Sequence, residues 1–243
     1  MHNSSFLATR WSMIRGAASE DPGLRLAALE RLCAQYWYPL YAYQRKRGRN
    51  PEQAADSVQD LFAHLLEGDL FARIKPQAGR FRNWLLTVLQ NYESDQRDRD
   101  RAEKRGGGRA PISIDQQEGE RRLELHGRQT DDPQFAFERA WATETLRMAR
   151  DQLQQEMQAQ GKAAIYSALA TLLDDADAPS RAELAAELGV RPVALRVMLH
   201  RMRSRYRELL VDIVADSLGD RSESGEELAA LANALRENSG QSS

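Results

Sequence analysis

Between Arg191 and Arg207 the chain places six arginines, at 191, 196, 201, 203, 205 and 207, with no acid among them. Guanidinium groups at that density hold phosphates, and one aimed into a major groove can bind a guanine edge through two parallel hydrogen bonds. Val193, Val197 and His200 lie among them on the same outward side, and the valine methyls suit thymine methyls. Two readings stand: a helix that contacts DNA, or the solvated basic face of an ordinary helical bundle. Covalent chemistry has no counterpart here. The four histidines and the single Cys33 are scattered without metal-ligand spacing, and no Ser/His/Asp or Cys/His set is recognisable. Neither an enzyme nor a cofactor is expected.

The elements that must position those arginines are legible in Ser180–Leu210. Ser180 is placed to cap a first helix, with Glu183 three residues on as in a capping box. Leu184, Ala185 and Leu188 form its apolar face, and Gly189 is free to turn. Pro192 suits the first turn of a second helix, whose Leu195, Leu199, Met202, Tyr206 and Leu209 fall on one stripe. A packed back, a basic front and a tight preceding turn make the pattern of a helix-turn-helix.

The formal charge of −2 over 243 residues looks unsuited to DNA until it is divided along the chain. Residues 1–110 carry 18 basic and 13 acidic side chains, net +5; residues 111–190 carry 8 and 15, net −7; residues 191–243 carry 8 of each, basic first and acidic last. Two basic regions flank an acidic middle, as expected of a protein that meets DNA at two places and another partner elsewhere. No stretch approaches the apolar run of a membrane span, MHNSSFLATRW lacks a signal-peptide core, and one cysteine fits a reducing compartment, so a cytoplasmic protein is expected.

In chain order, Leu24–Arg47 has helical periodicity and carries YWYPLYAY at 36–43, whose rings suit either base stacking or a core around a kink at Pro39. Pro51–Glu67 is an amphipathic helix, capped by Asn50 and stopped by Gly68, with Ala54, Ala55, Val58, Leu61, Phe62, Leu65 and Leu66 inward. Residues 80–109 begin as an apolar helix through Trp84, Leu85, Val88, Leu89 and Tyr92, become densely charged and end in three glycines. Residues 106–131 read as a flexible linker. A long helix is expected from Asp132 to Gly161, one more from Lys162 to Leu173, and a short acidic one at Glu226–Arg236. The fold expected is all-α: a domain over 1–105, the linker 106–131, a helix-turn-helix domain over 132–218 and an acidic tail over 219–243. That tail reads as a latch over the arginines of 191–207 or as a solubilising end.

Taken together, PEQAADSVQDLFAHLL (51–66), GRFRNWLLTVLQNYESDQRDRDRAEKR (79–105) and HRMRSRYREL (200–209) resemble the sigma-70 family of bacterial transcription initiation factors, in its small extracytoplasmic-function type. TRWS (9–12), QYWYPLYAYQRKRG (35–48) and KRGGGR (104–109) add to the likeness, which spans most of the chain. The resemblance implies that 51–67 docks on the β′ coiled coil of core RNA polymerase through Asp56, Gln59, Asp60 and Phe62. It implies that Asn83, Trp84, Asn91, Asp95, Arg97, Arg99 and Arg101 recognise and open the −10 element. Arg191, Arg196, His200, Arg201 and Arg203 would read the −35 element. Promoter DNA, the β flap and an anti-sigma factor complete the implied partners, with no membrane. The chain departs from the family where Gln53 and Ala55 stand in place of acids. A Ser/Thr kinase acting on Ser57 would restore the charge, since a phosphoryl group adds about −1.5 to −2. The competing reading is a stand-alone helix-turn-helix regulator, which leaves 51–105 without a role and expects a dimer on a two-fold site.

Overall fold

The computed structural model describes residues 16–67, 71, 81–102, 114–126, 132–173, 181–216 and 224–236, with side chains omitted at 67, 96–102 and 181–182. Within them the chain is all-helical. Its elements are α1 (Pro22–Lys46), α2 (Pro51–Glu67), α3 (Phe81–Ala102), α4 (Gln116–His126), α5 (Pro133–Ala159), α6 (Ala163–Leu169) followed by the 3-10 turn Ala170–Leu173, α7 (Arg181–Glu187), α8 (Pro192–Asp216) and α9 (Ser224–Arg236). Ser180, TRWS at 9–12 and KRGGGR at 104–109 lie outside the described residues.

Local chemistry sets the helix ends. Asp21 caps α1 by accepting from the Gly23 and Leu24 amides at 2.8 and 3.2 Å. At α2, Asn50 Oδ1 accepts from the Gln53 amide (2.8 Å) while Gln53 Oε1 accepts from the Asn50 amide (3.2 Å). That is a reciprocal capping box, so Gln53 serves the helix start where the resemblance expects an acid. Helix α7 ends at a glycine: Gly189 adopts φ +63°, its amide donates to Ala186 O (3.1 Å), and Val190 donates to Ala185 O (2.9 Å). The paired bonds are those of a left-handed glycine cap, and they set the short turn into α8.

Two compact units form, one from 1–144 with 214–243, the other from 145–213. Their limits differ from the domain bounds expected at 105 and 132. Three features explain this. First, the presumed linker contains α4, which is anchored on α1: Glu120 takes Arg45 (2.6 and 3.0 Å) and the Tyr41 hydroxyl (2.6 Å). Arg122 lies over Trp37 and Tyr38 at 5.2 and 5.5 Å and pairs with Glu118 and Glu144. Second, the first turns of α5 bury Phe137, Ala140 and Trp141, and Ala140 packs with Tyr38 and Ala42 of α1. Third, α9 clusters with the first unit, where its Glu227, Leu231 and Ala234 are buried.

The first unit's core is aromatic at its centre. Tyr36, Tyr38, Tyr41 and Tyr43 are buried, which settles the aromatic cluster of α1 as core; Tyr36 meets Phe81 edge-on at 5.3 Å. Helix α1 runs unbroken through Pro39. The second unit packs Ala149, Leu153, Tyr166, Leu169 and Leu172 against Leu184, Ala185, Leu195, Leu199, Met202 and Leu209. The apolar stripe predicted for α8 is the one buried.

Candidate nucleic-acid interface

Successive helical residues turn by about 100°, so the outward side of α8 opposite Leu195, Leu199 and Met202 is made by Val193, Arg196, Val197, His200, Ser204 and Arg207, with Arg201 beside it. Val193 and Val197 are 70 % and 44 % exposed. Arg191, Arg196, His200, Arg201 and Arg207 are exposed as well. The structure divides the six arginines. Arg203 turns inward and donates to Leu172 O (2.6 Å), holding α8 to the 3-10 turn. Arg203, expected at the −35 element, is thus half-buried with one guanidinium nitrogen on a carbonyl of its own unit. Arg205 is clamped by Glu156 through two 2.8 Å bonds and also reaches Glu208. The hydrogen bonds hold the Glu156 carboxyl below its ordinary range and push Arg205 up. Four arginines remain outward.

Behind this face is a cavity of about 390 Å³, walled by Leu153, Met157, Ile165, Met198 and Met202 with Glu156, Gln160, Lys162, Arg201 and Arg205. Methionine linings adapt to irregular apolar partners.

In the first unit, α3 presents a different surface. Asn83, Thr87, Gln90, Asn91 and Ser94 are exposed and cluster on one side, with exposed Asp95 at its edge. They form a neutral band of amides and hydroxyls, able to hydrogen-bond base edges or phosphate oxygens. Thr87, Gln90 and Ser94 were not singled out from the sequence, although their spacing to Asn83 and Asn91 could have revealed them. Thr87 donates to Asn83 O (2.9 Å), and Gln90 donates to the Tyr43 hydroxyl (2.8 Å), which steadies the band. Trp84 is half-buried, stacked on Phe81 at 5.3 Å and tilted against Phe71 at 6.3 Å. Arg97, Arg99 and Arg101 lie on α3, with side chains outside the described residues.

On α2, Glu52, Asp56 and Asp60 are exposed and follow one another at four-residue spacing, with Gln59 half-buried nearby. Like charges so spaced disfavour an isolated helix. Burial, and then the Asp56 charge, push the Asp60 carboxyl up. A cationic surface would relieve both. Two other expectations on α2 are corrected. Phe62 is 3 % exposed and packs inward, one turn from Val58 and Leu65, so it offers no docking surface. Ser57 is buried, accepts from Gln44 Nε2 (2.7 Å) and donates to Glu93 Oε1 (3.0 Å), so a phosphoryl group there would displace a core bond and abut a carboxylate. The phosphosite is withdrawn. Ala55, where the resemblance expects an acid, is fully buried.

Among the described residues no group of three His, Cys, Asp or Glu side chains is placed to hold a metal ion, and no helix is long and apolar enough to cross a membrane. Cys33 is buried, and burial with the nearby Glu30 charge pushes its thiol up to about 12. Comparison with protein-family models, characterised proteins and solved structures returns no match.

Proposed function

We propose that the protein is a sigma-70-type subunit of the extracytoplasmic-function kind, which binds core RNA polymerase and directs it to promoters. The observation that carries this reading is the outward face of α8, where Val193, Arg196, Val197 and His200 stand exposed on a helix with a packed back, directly after the Gly189 turn. Arg191, Arg196 and Arg201 would pair with phosphates and guanine edges of the −35 element, and the valines would meet thymine methyls.

Helix α3 would act at the −10 element. Its neutral band can satisfy the edges of bases that have left the duplex, and the half-exposed Trp84 ring can stack on one. Extruding a base costs a few kcal/mol of stacking and pairing, which such contacts and nearby phosphate pairing offset. The work is differential binding of the opened strand; no covalent step is involved. Asp56 and Asp60, with Glu52, would meet the basic surface of the β′ coiled coil, and the methionine-lined cavity behind α8 would seat an apolar segment of the β flap.

The test is capture of bacterial core RNA polymerase by the purified protein, with Asp56→Arg as control. Capture that Asp56→Arg abolishes is the expected result. No capture, together with tight specific binding of the protein alone to duplex DNA, would replace this reading by a stand-alone regulator.

A further inference from the structure

Arg82, on the first turn of α3, is a cation in the core, 3 % exposed. Its Nε donates to Glu138 of α5 at 2.8 Å, its Nη1 pairs with Glu227 of α9, and its guanidinium lies 4.3 Å from the Trp141 ring centre. Glu227 is itself only 1 % exposed, and Ser224, Leu231 and Ala234 of the same helix are buried beside it. All of these residues fall in the unit formed by 1–144 and 214–243. The residues after Arg82 are Asn83, the start of the neutral band, and Trp84, the candidate stacking ring. A segment 145 positions further along the chain (227 minus 82) thus holds the root of the surface assigned to strand opening.

A guanidinium buried at this depth is held by its partners; with Glu227 lost, Glu138 still pairs with it, but the bond that ties the start of α3 to α9 is gone. The pair is also directional. Arg82 sits where α3 begins, and its planar fork fixes that turn against α5 and α9 together. Rotating the first turn would carry Asn83 and Trp84 with it, since they share its backbone. Resting on the strand-opening role given to α3 above, we infer that Glu227 is a positioning residue for promoter opening, and that the C-terminal helix is a working part of the −10-reading surface.

The experiment uses the full-length protein with core polymerase and a supercoiled promoter, reading core binding and permanganate reactivity of unpaired thymines separately. Glu227→Gln keeps shape and removes charge; Glu226→Gln, on the exposed side of the same helix, is the control. Glu227→Gln is expected to reduce opening by roughly tenfold or more while core binding stays within about twofold, because the lost partner belongs to a buried pair at α3 and not to the acids of α2. Equal opening by Glu227→Gln and wild type overturns the inference alone, as does a parallel loss of core binding and opening, which marks a merely structural role. Wild-type protein that never engages core overturns the sigma reading and this inference with it. Should Glu227→Gln not fold, amide exchange of the wild-type chain decides: 224–236 should open together with 81–95, and exchange of 224–236 at free-peptide rates beside a protected α3 overturns the inference.

Discussion

The Ser57 hydroxyl donates to Oε1 of Glu93 at 3.0 Å, joining α2 to α3 inside the first unit's core. Gln44 of α1 donates to both groups, and Arg47 and Arg49 close on the same carboxylate. Three helices thus meet on one buried acid, surrounded by one hydroxyl, one amide and two guanidinium groups. A buried carboxylate with this many donors holds the three helices in one arrangement, because leaving it unpaired is costly, although Gln44 Oε1 is itself buried without a hydrogen-bond partner among the described residues.

Ser57→Ala should therefore cost about 1 kcal/mol, since Gln44 and the arginines still satisfy Glu93. Ser57→Glu should cost about 3 kcal/mol or more, by forcing a second carboxylate against the first. Urea denaturation of the two variants measures the difference. Equal midpoints for Ser57→Glu and wild type would show that this hydroxyl faces water after all.

The same carboxylate should make the first unit acid-sensitive. Burial pushes Glu93 up, but hydrogen bonds from Gln44 and Arg47 and the Arg49 and Arg47 charges outweigh it and leave the group below its ordinary value of 4.5. A depressed folded value means the stabilisation is complete above the unfolded value and is lost as pH falls through 4.5 toward the folded one. Melting temperatures between pH 6 and pH 3 should fall for the wild type and fall less steeply for Glu93→Gln, which starts lower. Parallel slopes would remove Glu93 from the account.

Much of this was open to sequence reasoning, and the exceptions share a cause. Helix α8 was legible because its stripe repeats at 3.6 residues and Gly189 marks the turn. The burial of Ser57 was legible too, in principle: Ala54 and Leu61 stand three before and four after it, on the inward side. Helix α4 was not. Its segment QQEGERRLELH is polar, and it adheres through Arg122 on aromatic rings and Glu120 on Arg45 and Tyr41, contacts that leave no hydrophobic period. The place of α9 rests on the buried Leu231 and Ala234 and on the Glu227–Arg82 ion pair, and no local pattern announces where they pack.

Gly119 tests how firmly α4 is seated. A Cβ built there would stand 2.8 Å from Cε1 of Tyr41, on a ring that is fully buried and cannot swing away. Gly119→Ala improves helix propensity by about 1 kcal/mol, yet the overpacking should cost about 1–3 kcal/mol and lift α4 from α1. Proteolysis within 116–126 should then become faster in the variant. A more stable Gly119→Ala protein would mean that α4 does not rest on Tyr41.

The division among the arginines of α8 gives the sharpest test of its outward face. Arg196 is exposed beside Val193 and Val197, whereas Arg205 is spent on Glu156 and Glu208. If the face binds DNA, each phosphate contact releases counterions, and removing one contact should lower the slope of log K against log salt by about 1. Arg196→Ala should show that loss, with an unchanged melting temperature. Arg205→Ala should keep the slope and lose about 0.5–1 kcal/mol of stability, the range for a partly exposed pair. Charge number alone cannot separate the two variants, because each removes one arginine from the same helix. A common decrease in slope would mean that the basic helix attracts DNA as a diffuse field; a decrease confined to Arg196→Ala would mark the side of α8 that meets the phosphates.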